Sequence, residues 1–277
     1  MYDNKVGVIF NVSRLLSEGP DVLFDLGLDS IQLTIWSNKY ATPEVAAKVK
    51  QMLQGKIEIT SVWGGWSGPR VWNFIDGPVT LGIVPEAYRD SRLKELMLYA
   101  DFATELEVPY FTTHMGFMPE QPCYPGYRGI VQAVRYIANY CKDRGMGLNF
   151  ETGQETPVTL MRVIQDTGCD NLGVNLDPAN LILYGRGNPV DAIDIFGDRI
   201  KGVHVKDGNY PKDDFYKLGE ETVVGEGSVN YPVFLPKLLK QGYKGDLYIE
   251  REISGEQQTV DIRKTIDYVR KTLAGEN

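Results

Sequence analysis

Three carboxylates and one of the chain's two histidines recur in equivalent places within four short β-rich runs. Glu151 closes GLNFE (147–151), Asp177 closes LGVNLD (172–177), His204 lies in GVHVK (202–206) and Glu250 closes LYIE (247–250). Successive side chains of a strand point to opposite faces. Leu148, Phe150, Val174, Leu176, Val203, Val205, Leu247 and Ile249 therefore share the apolar parity, and Glu151, Asp177, His204, Lys206 and Glu250 the other. If the four strand ends meet, three carboxylates and an imidazole repel or take up protons unless a cation sits among them. Three oxygen ligands and one nitrogen, with positions left for water or substrate, suit one divalent ion: Mn²⁺, Mg²⁺ or Co²⁺, with Zn²⁺ as a further candidate.

Whether they meet depends on the elements that carry them. Eight strand candidates alternate with eight amphipathic stretches, joined by Gly, Pro, Asn and Asp. The strands are KVGVIFN (5–11), SIQLTIW (30–36), KIEITSVW (56–63), YFTTHM (110–115), GLNFE, LGVNLD, GVHVK and LYIE. The helices are expected at 20–26, 42–54, 86–106, 126–144, 157–167, 189–196, 231–241 and 259–273. Thr42-Pro43 and Thr156-Pro157 read as N-caps followed by proline, and Gly145, Gly168 and Gly242 as helix stops. Eight βα units over 277 residues predict an α/β fold, a single (β/α)8 TIM barrel spanning 1–277, with a doubly wound sheet as the alternative. On a barrel, strand ends five to eight are neighbours on the rim, and the four ligand-type side chains converge there. The rhythm breaks once, at 64–85 between the third strand and the third helix. That long loop carries Trp66 and Trp72 on the face where barrel sites are built.

Composition narrows the function. With 29 Lys and Arg against 37 Asp and Glu, the chain has a formal charge of −8 and no basic run, which argues against a nucleic-acid partner. The first 25 residues hold six charged side chains and no signal-peptide segment, and no apolar stretch reaches membrane-spanning length, so a cytoplasmic protein with no membrane partner is expected. Cys123, Cys141 and Cys169 lack metal-type spacing and read as unpaired thiols.

The motifs NFETGQE (149–155), GVNLDPANL (173–181), GVHVKDG (202–208), VGEGSVNYPVF (224–234) and YIERE (248–252) resemble the xylose-isomerase-like TIM barrel superfamily, in its sugar-phosphate isomerase/epimerase branch. They cover the C-terminal half; the N-terminal half matches in its βα pattern and in THMG (113–116). The resemblance implies that Glu151, Asp177, His204 and Glu250 bind one divalent metal ion, and that Glu151 and Glu250 double as the acid/base pair. It implies an isomerase acting on a small-molecule sugar or sugar phosphate through an enediolate, and a homo-oligomer. Further substrate contacts are expected from His114, Lys206, Asn180 and Arg186, and from Trp66 as a wall or lid stacked on a sugar face. Lys206 has three candidate roles: neutralising an enolate, holding a phosphate, or pairing with Asp207. Asn180 stands where ketose 3-epimerases carry histidine, and Tyr210 where they carry arginine, so substrate recognition departs from the free-ketose pattern. A metal-dependent lyase or dehydratase acting on a keto-sugar or cyclic keto acid is the alternative, since it begins with the same proton abstraction. An apurinic endonuclease-like hydrolase needs more histidines than two, and a non-catalytic binder has no use for both glutamates.

Overall fold

Each short apolar run bounded by turn residues becomes one stave of a closed parallel barrel. A computed structural model describes residues 2–276; residues 1 and 277, the ends of the expected domain, lie outside the described residues. The staves are β1 (Val6–Asn11), β2 (Ser30–Ile35), β3 (Glu58–Gly64), β4 (Tyr110–Thr113), β5 (Gly147–Glu151), β6 (Leu172–Leu176) and β7 (Ile200–Val205). After an antiparallel pair, β8 (Asp207–Asn209) with β9 (Glu220–Thr222), β10 (Leu247–Ile249) closes the ring against β1. The order around the barrel is β1-β10-β7-β6-β5-β4-β3-β2, so the expected (β/α)8 barrel is the fold.

The helices are α1 (Val12–Glu18), α2 (Asp21–Asp25), α3 (Pro43–Leu53), α4 (Gly77–Thr80), α5 (Glu86–Glu105), α6 (Tyr127–Lys142), α7 (Pro157–Thr167), α8 (Pro178–Leu183), α9 (Pro189–Phe196), α10 (Tyr231–Lys240) and α11 (Glu256–Ala274). Thr42 and Thr156 cap α3 and α7, each accepting from a backbone N–H 3.3 Å away, with proline at the helix start. Such a cap is worth about 1 kcal/mol. Gly168 ends α7 at φ 66°, a conformation that costs glycine nothing.

Three features differ from expectation. The first helix begins earlier, because the Asn11 side chain both ends β1 and caps α1 by accepting from Ser13 N–H at 2.8 Å. The expected 20–26 helix is only the five-residue α2. The helix expected at 259 starts at Glu256, its first turn polar and so invisible to an apolar pattern.

Outward-facing Val, Leu, Ile and Phe from the staves pack against the helices as the main core. The barrel interior is polar instead. Gln32, Ser61, Thr112, Asn149 and Asn175 are buried there, with Ser61 and Thr112 hydroxyls 3.1 Å apart. That polar layer forms the floor beneath the strand ends.

Among the described residues, no helix is long and apolar enough to cross a membrane.

Candidate metal centre and active site

Glu151 ends β5, Asp177 follows β6, His204 lies on β7 and Glu250 follows β10, four consecutive staves of the ring. One ligand atom from each lies within 4.8 Å of the others. His204 Nδ1 is 3.2 Å from Glu151 Oε1, 3.2 Å from Glu250 Oε2 and 3.6 Å from Asp177 Oδ2.

The donor set fits a divalent cation. Asp177 Oδ1 accepts from Asn180 N–H at 2.9 Å and so caps α8, but Oδ2 has no hydrogen-bond partner among the described residues, nor has His204 Nδ1. Two ligand-type atoms buried together without other partners are available to a cation. Gln32 fixes the imidazole: its amide nitrogen lies 3.3 Å from Ser61 Oγ and 3.4 Å from Asn175 Oδ1, leaving Oε1 to accept from His204 Nε2 at 2.8 Å. The Nδ1 edge then faces the carboxylates, where a ligand atom must lie. Burial alone lowers the His204 pKa, but Glu151, Glu250 and Asp177 outweigh it and hold it well above the ordinary value. Sequence reading had no signal for Gln32, since a lone glutamine on a buried strand gives no pattern.

Glu151 is the most constrained carboxylate. Its Oε2 accepts from the Trp63 indole N–H, and its Oε1 accepts from the Asn180 amide at 3.1 Å and lies 3.4 Å from His114 Nε2. Burial raises its pKa, but the His114 and His204 charges reverse that and hold it well below the usual carboxylate range. Asn180 and His114 thus act on Glu151 as well as lining the cavity. Glu250 is more open, its side chain 17% exposed against 4% for Glu151. Lys206, 2% exposed, sits 3.2 Å from Glu250 Oε2, 3.1 Å from Glu252 Oε1 and 3.6 Å from Asp177 Oδ2. Pairing with Asp207, one of its three candidate roles, does not occur. Asp207 instead accepts four backbone N–H groups, from Gly208, Gly225, Gly227 and Val229, at 2.8–3.1 Å, and ties down the glycine-rich VGEG turn.

The cavity above these residues has a volume of about 330 Å³. Of the four ligand residues, only Glu151 and Glu250 line it; Asp177 and His204 lie beneath. Three of the chain's four tryptophans line it, Trp36 and Trp63 with ring centroids 4.9 Å apart, and Trp72 packed 5.2 Å from His114. Trp66, the expected sugar-stacking residue, is fully buried 5.9 Å behind Trp36 and does not line the cavity. Trp36, Trp63 and Trp72 form the wall instead. The 64–85 loop is pinned: buried Arg92 on α5 donates to Gly82 O at 2.6 Å and Pro69 O at 2.8 Å. A Cβ at Gly82 would come 1.9 Å from Met115 O, so that stretch is pressed on the segment after β4. Arg186 lies outside the lining, its guanidinium 5.8 Å from Phe74 and 5.9 Å from Phe117.

Glu155, just before α7, escaped the sequence reading. Burial pushes its carboxyl up to about 8, and the nearby His114 and Arg186 charges offset that only in part. A carboxyl whose folded pKa exceeds its unfolded one favours the native state below the unfolded pKa and loses that benefit as pH rises through the folded value. Between about pH 4.5 and 8 the native state therefore loses stability through this group. Glu155→Gln should have little effect on melting at pH 5 and raise stability at pH 9 by on the order of 3–5 kcal/mol. Melting curves at both pH values check this; equal effects would remove the buried-acid assignment.

Residues 20–272 match the family described as xylose isomerase-like TIM barrel. A xylose isomerase domain protein from Planctomyces limnophilus superimposes with a TM-score of 0.91 at 31% identity, covering 98% of each chain. A D-tagatose 3-epimerase-like protein, 20% identical, shares the fold with a TM-score of 0.74 over 98% of this chain and 99% of its own. Inosose dehydratase of Geobacillus kaustophilus is 26% identical over 141 residues, 46% of either sequence. The chain spans about half the length of the curated relatives it matches.

Proposed function

Because this chain belongs to the xylose isomerase-like TIM barrel family, we propose that it is a divalent-metal-dependent epimerase or isomerase that moves a proton at a carbon next to the carbonyl of a small sugar or sugar phosphate. The observation that carries this reading is the placement of Glu151 and Glu250. They stand at the two ends of the four-stave arc, and they alone of the four ligand residues face the cavity.

Glu151, Asp177, His204 and Glu250 would hold the ion, which when bound stabilises the negative charge that develops on the substrate oxygens as the proton leaves. The protein's own groups do the rest. One glutamate removes the proton and the other returns one. Return to the opposite face of the same carbon inverts it; return to the neighbouring carbon converts ketose and aldose. Trp63, Asn180 and His114 hold the Glu151 carboxylate in one orientation, and Lys206 does the same for Glu250. Expelling water between the tryptophan wall and the carboxylates strengthens these interactions.

A second reading, elimination of water after the same proton abstraction, is favoured by two curated relatives named inosose dehydratase. Incubating the metal-loaded protein in D2O with ketoses, ketose phosphates and keto-inositols, followed by NMR, separates the two. Deuterium at a carbon beside the carbonyl together with a new epimer or isomer supports the first reading, and exchange with loss of water the second. No exchange with any of them would remove both.

A further inference from the structure

Gln154 and Tyr184 line the same cavity yet take no part in holding the ligand set. Gln154 is 1% exposed, and neither its amide oxygen nor its amide nitrogen makes a hydrogen bond of normal geometry among the described residues. The Tyr184 hydroxyl is buried and equally without one. Burial raises its pKa, and a hydrogen-bonding approach from the Gln154 amide offsets that in part, so the two groups are neighbours that stop short of a hydrogen bond of normal geometry. Burying three polar atoms in this way costs stability, and the great majority of such atoms in folded proteins are satisfied by protein or by bound molecules. An amide offers one donor group and one acceptor, and a phenol can be either, which matches the alternating demands of neighbouring hydroxyl groups.

The charges around the cavity define what else the ligand can carry. No lysine or arginine lines it among the described residues, whereas Glu151, Glu250 and Glu252 do. Lys206 is already engaged by Glu250, Glu252 and Asp177, and the Arg186 guanidinium lies outside the lining, 5.8 Å from the Phe74 ring and 5.9 Å from the Phe117 ring. A phosphate dianion would find no bidentate partner of the kind that recognises it. The cavity, about 330 Å³, lies at the small end of the ~300–1,000 Å³ usual for ligand sites, and its tryptophan wall offers a flat apolar surface to a ring face.

We infer that Gln154 and Tyr184 form a hydroxyl-recognition subsite, and that the ligand it takes is an uncharged, single-ring polyhydroxylated ketone rather than a phosphorylated one. This deepens the proton-transfer reading above and rests on it for the identity of the site, but its test is binding rather than turnover. Because three of the chain's four tryptophans line the cavity and the fourth packs behind Trp36, intrinsic fluorescence reports occupancy. The Mg²⁺-loaded full chain is titrated with D-fructose and 2-keto-myo-inositol, then with D-fructose 6-phosphate. The neutral probes should bind at least tenfold more tightly than the phosphate. Gln154→Met and Tyr184→Phe should each weaken neutral binding by roughly three- to tenfold, the range of one lost neutral hydrogen bond, while the melting temperature stays level or rises. A merely structural role would lower the melting temperature instead. Equal or tighter binding of the phosphate overturns the inference, as does unchanged affinity in both variants or no saturable response to either neutral probe. If neutral binding behaves as expected but no deuterium exchange occurs, the subsite stands and the proton-transfer reading falls. Exchange confined to phosphorylated sugars overturns the subsite and leaves the proton-transfer reading standing.

Discussion

Glutamine at position 151 or 250 should lower turnover by about 10²–10⁴-fold, the usual contribution of a positioned general acid or base. The amide still offers an oxygen to the ion but cannot accept a proton from carbon, so some metal binding survives while catalysis does not. The two variants should fail differently. Whichever glutamate removes the proton from a given epimer can still do so when its counterpart is changed, so that variant washes deuterium into the starting sugar without forming the other epimer. The opposite variant shows neither exchange nor product from that epimer. Single-substrate NMR in D2O with each variant reads both quantities. Normal turnover in either one would remove that residue from the acid/base pair. Glu151→Gln has a second effect, because its Oε2 now accepts from the Trp63 indole and its Oε1 from Asn180. A new amide N–H facing one of those donors costs stability, and a melting curve separates that loss from the chemical one.

The second large effect is on the ion itself. Chelation should abolish activity, and a stabilising response to metal should appear on reconstitution. At a free concentration 100 times the dissociation constant, binding to the native state alone adds about 2.7 kcal/mol of stability. Asp177→Asn is the sharpest test, since the amide oxygen can still cap α8 as Asp177 Oδ1 does now, while the unpartnered Oδ2 loses its charge. That variant should melt like the metal-free parent and show no metal-dependent rise. Gln32→Leu should keep all four ligands but free the imidazole to rotate, weakening metal affinity by ~10–100-fold. A metal response retained in Asp177→Asn would mean that the ion, if any, sits elsewhere.

Much of the site could be read from the chain alone because β-strand parity is local. A two-residue period needs only neighbouring residues to assign faces, so Glu151, Asp177, His204 and Glu250 could be placed on one parity without coordinates. The barrel's eightfold alternation then placed their strands side by side. The same local logic located Thr42 and Thr156 as caps, since capping involves residues two or three apart.

What local patterns cannot supply is which loop residue faces inward. Trp66 and Trp72 have the same composition-level signal, yet one is buried behind Trp36 and the other lines the cavity. That choice is made by the Arg92 anchor on α5 and by the contact between Gly82 and Met115, both set by chain segments distant from the tryptophans. Likewise Lys206 had equal reasons in sequence to neutralise an enolate, hold a phosphate or pair with Asp207. The glycine-rich turn at 225–229 claims Asp207 through three N–H groups, with a fourth from Gly208, and leaves Lys206 to Glu250 and Glu252. The sequence by itself determined the barrel, the convergence of one imidazole with three carboxylates, and the parity that aims them, because these follow from periodicity and strand order. Only the tertiary structure decided the partners of those groups, from Gln32 behind His204 to the unsatisfied Gln154 and Tyr184, because hydrogen bonds across a barrel join residues far apart in the chain and leave no periodic trace in it.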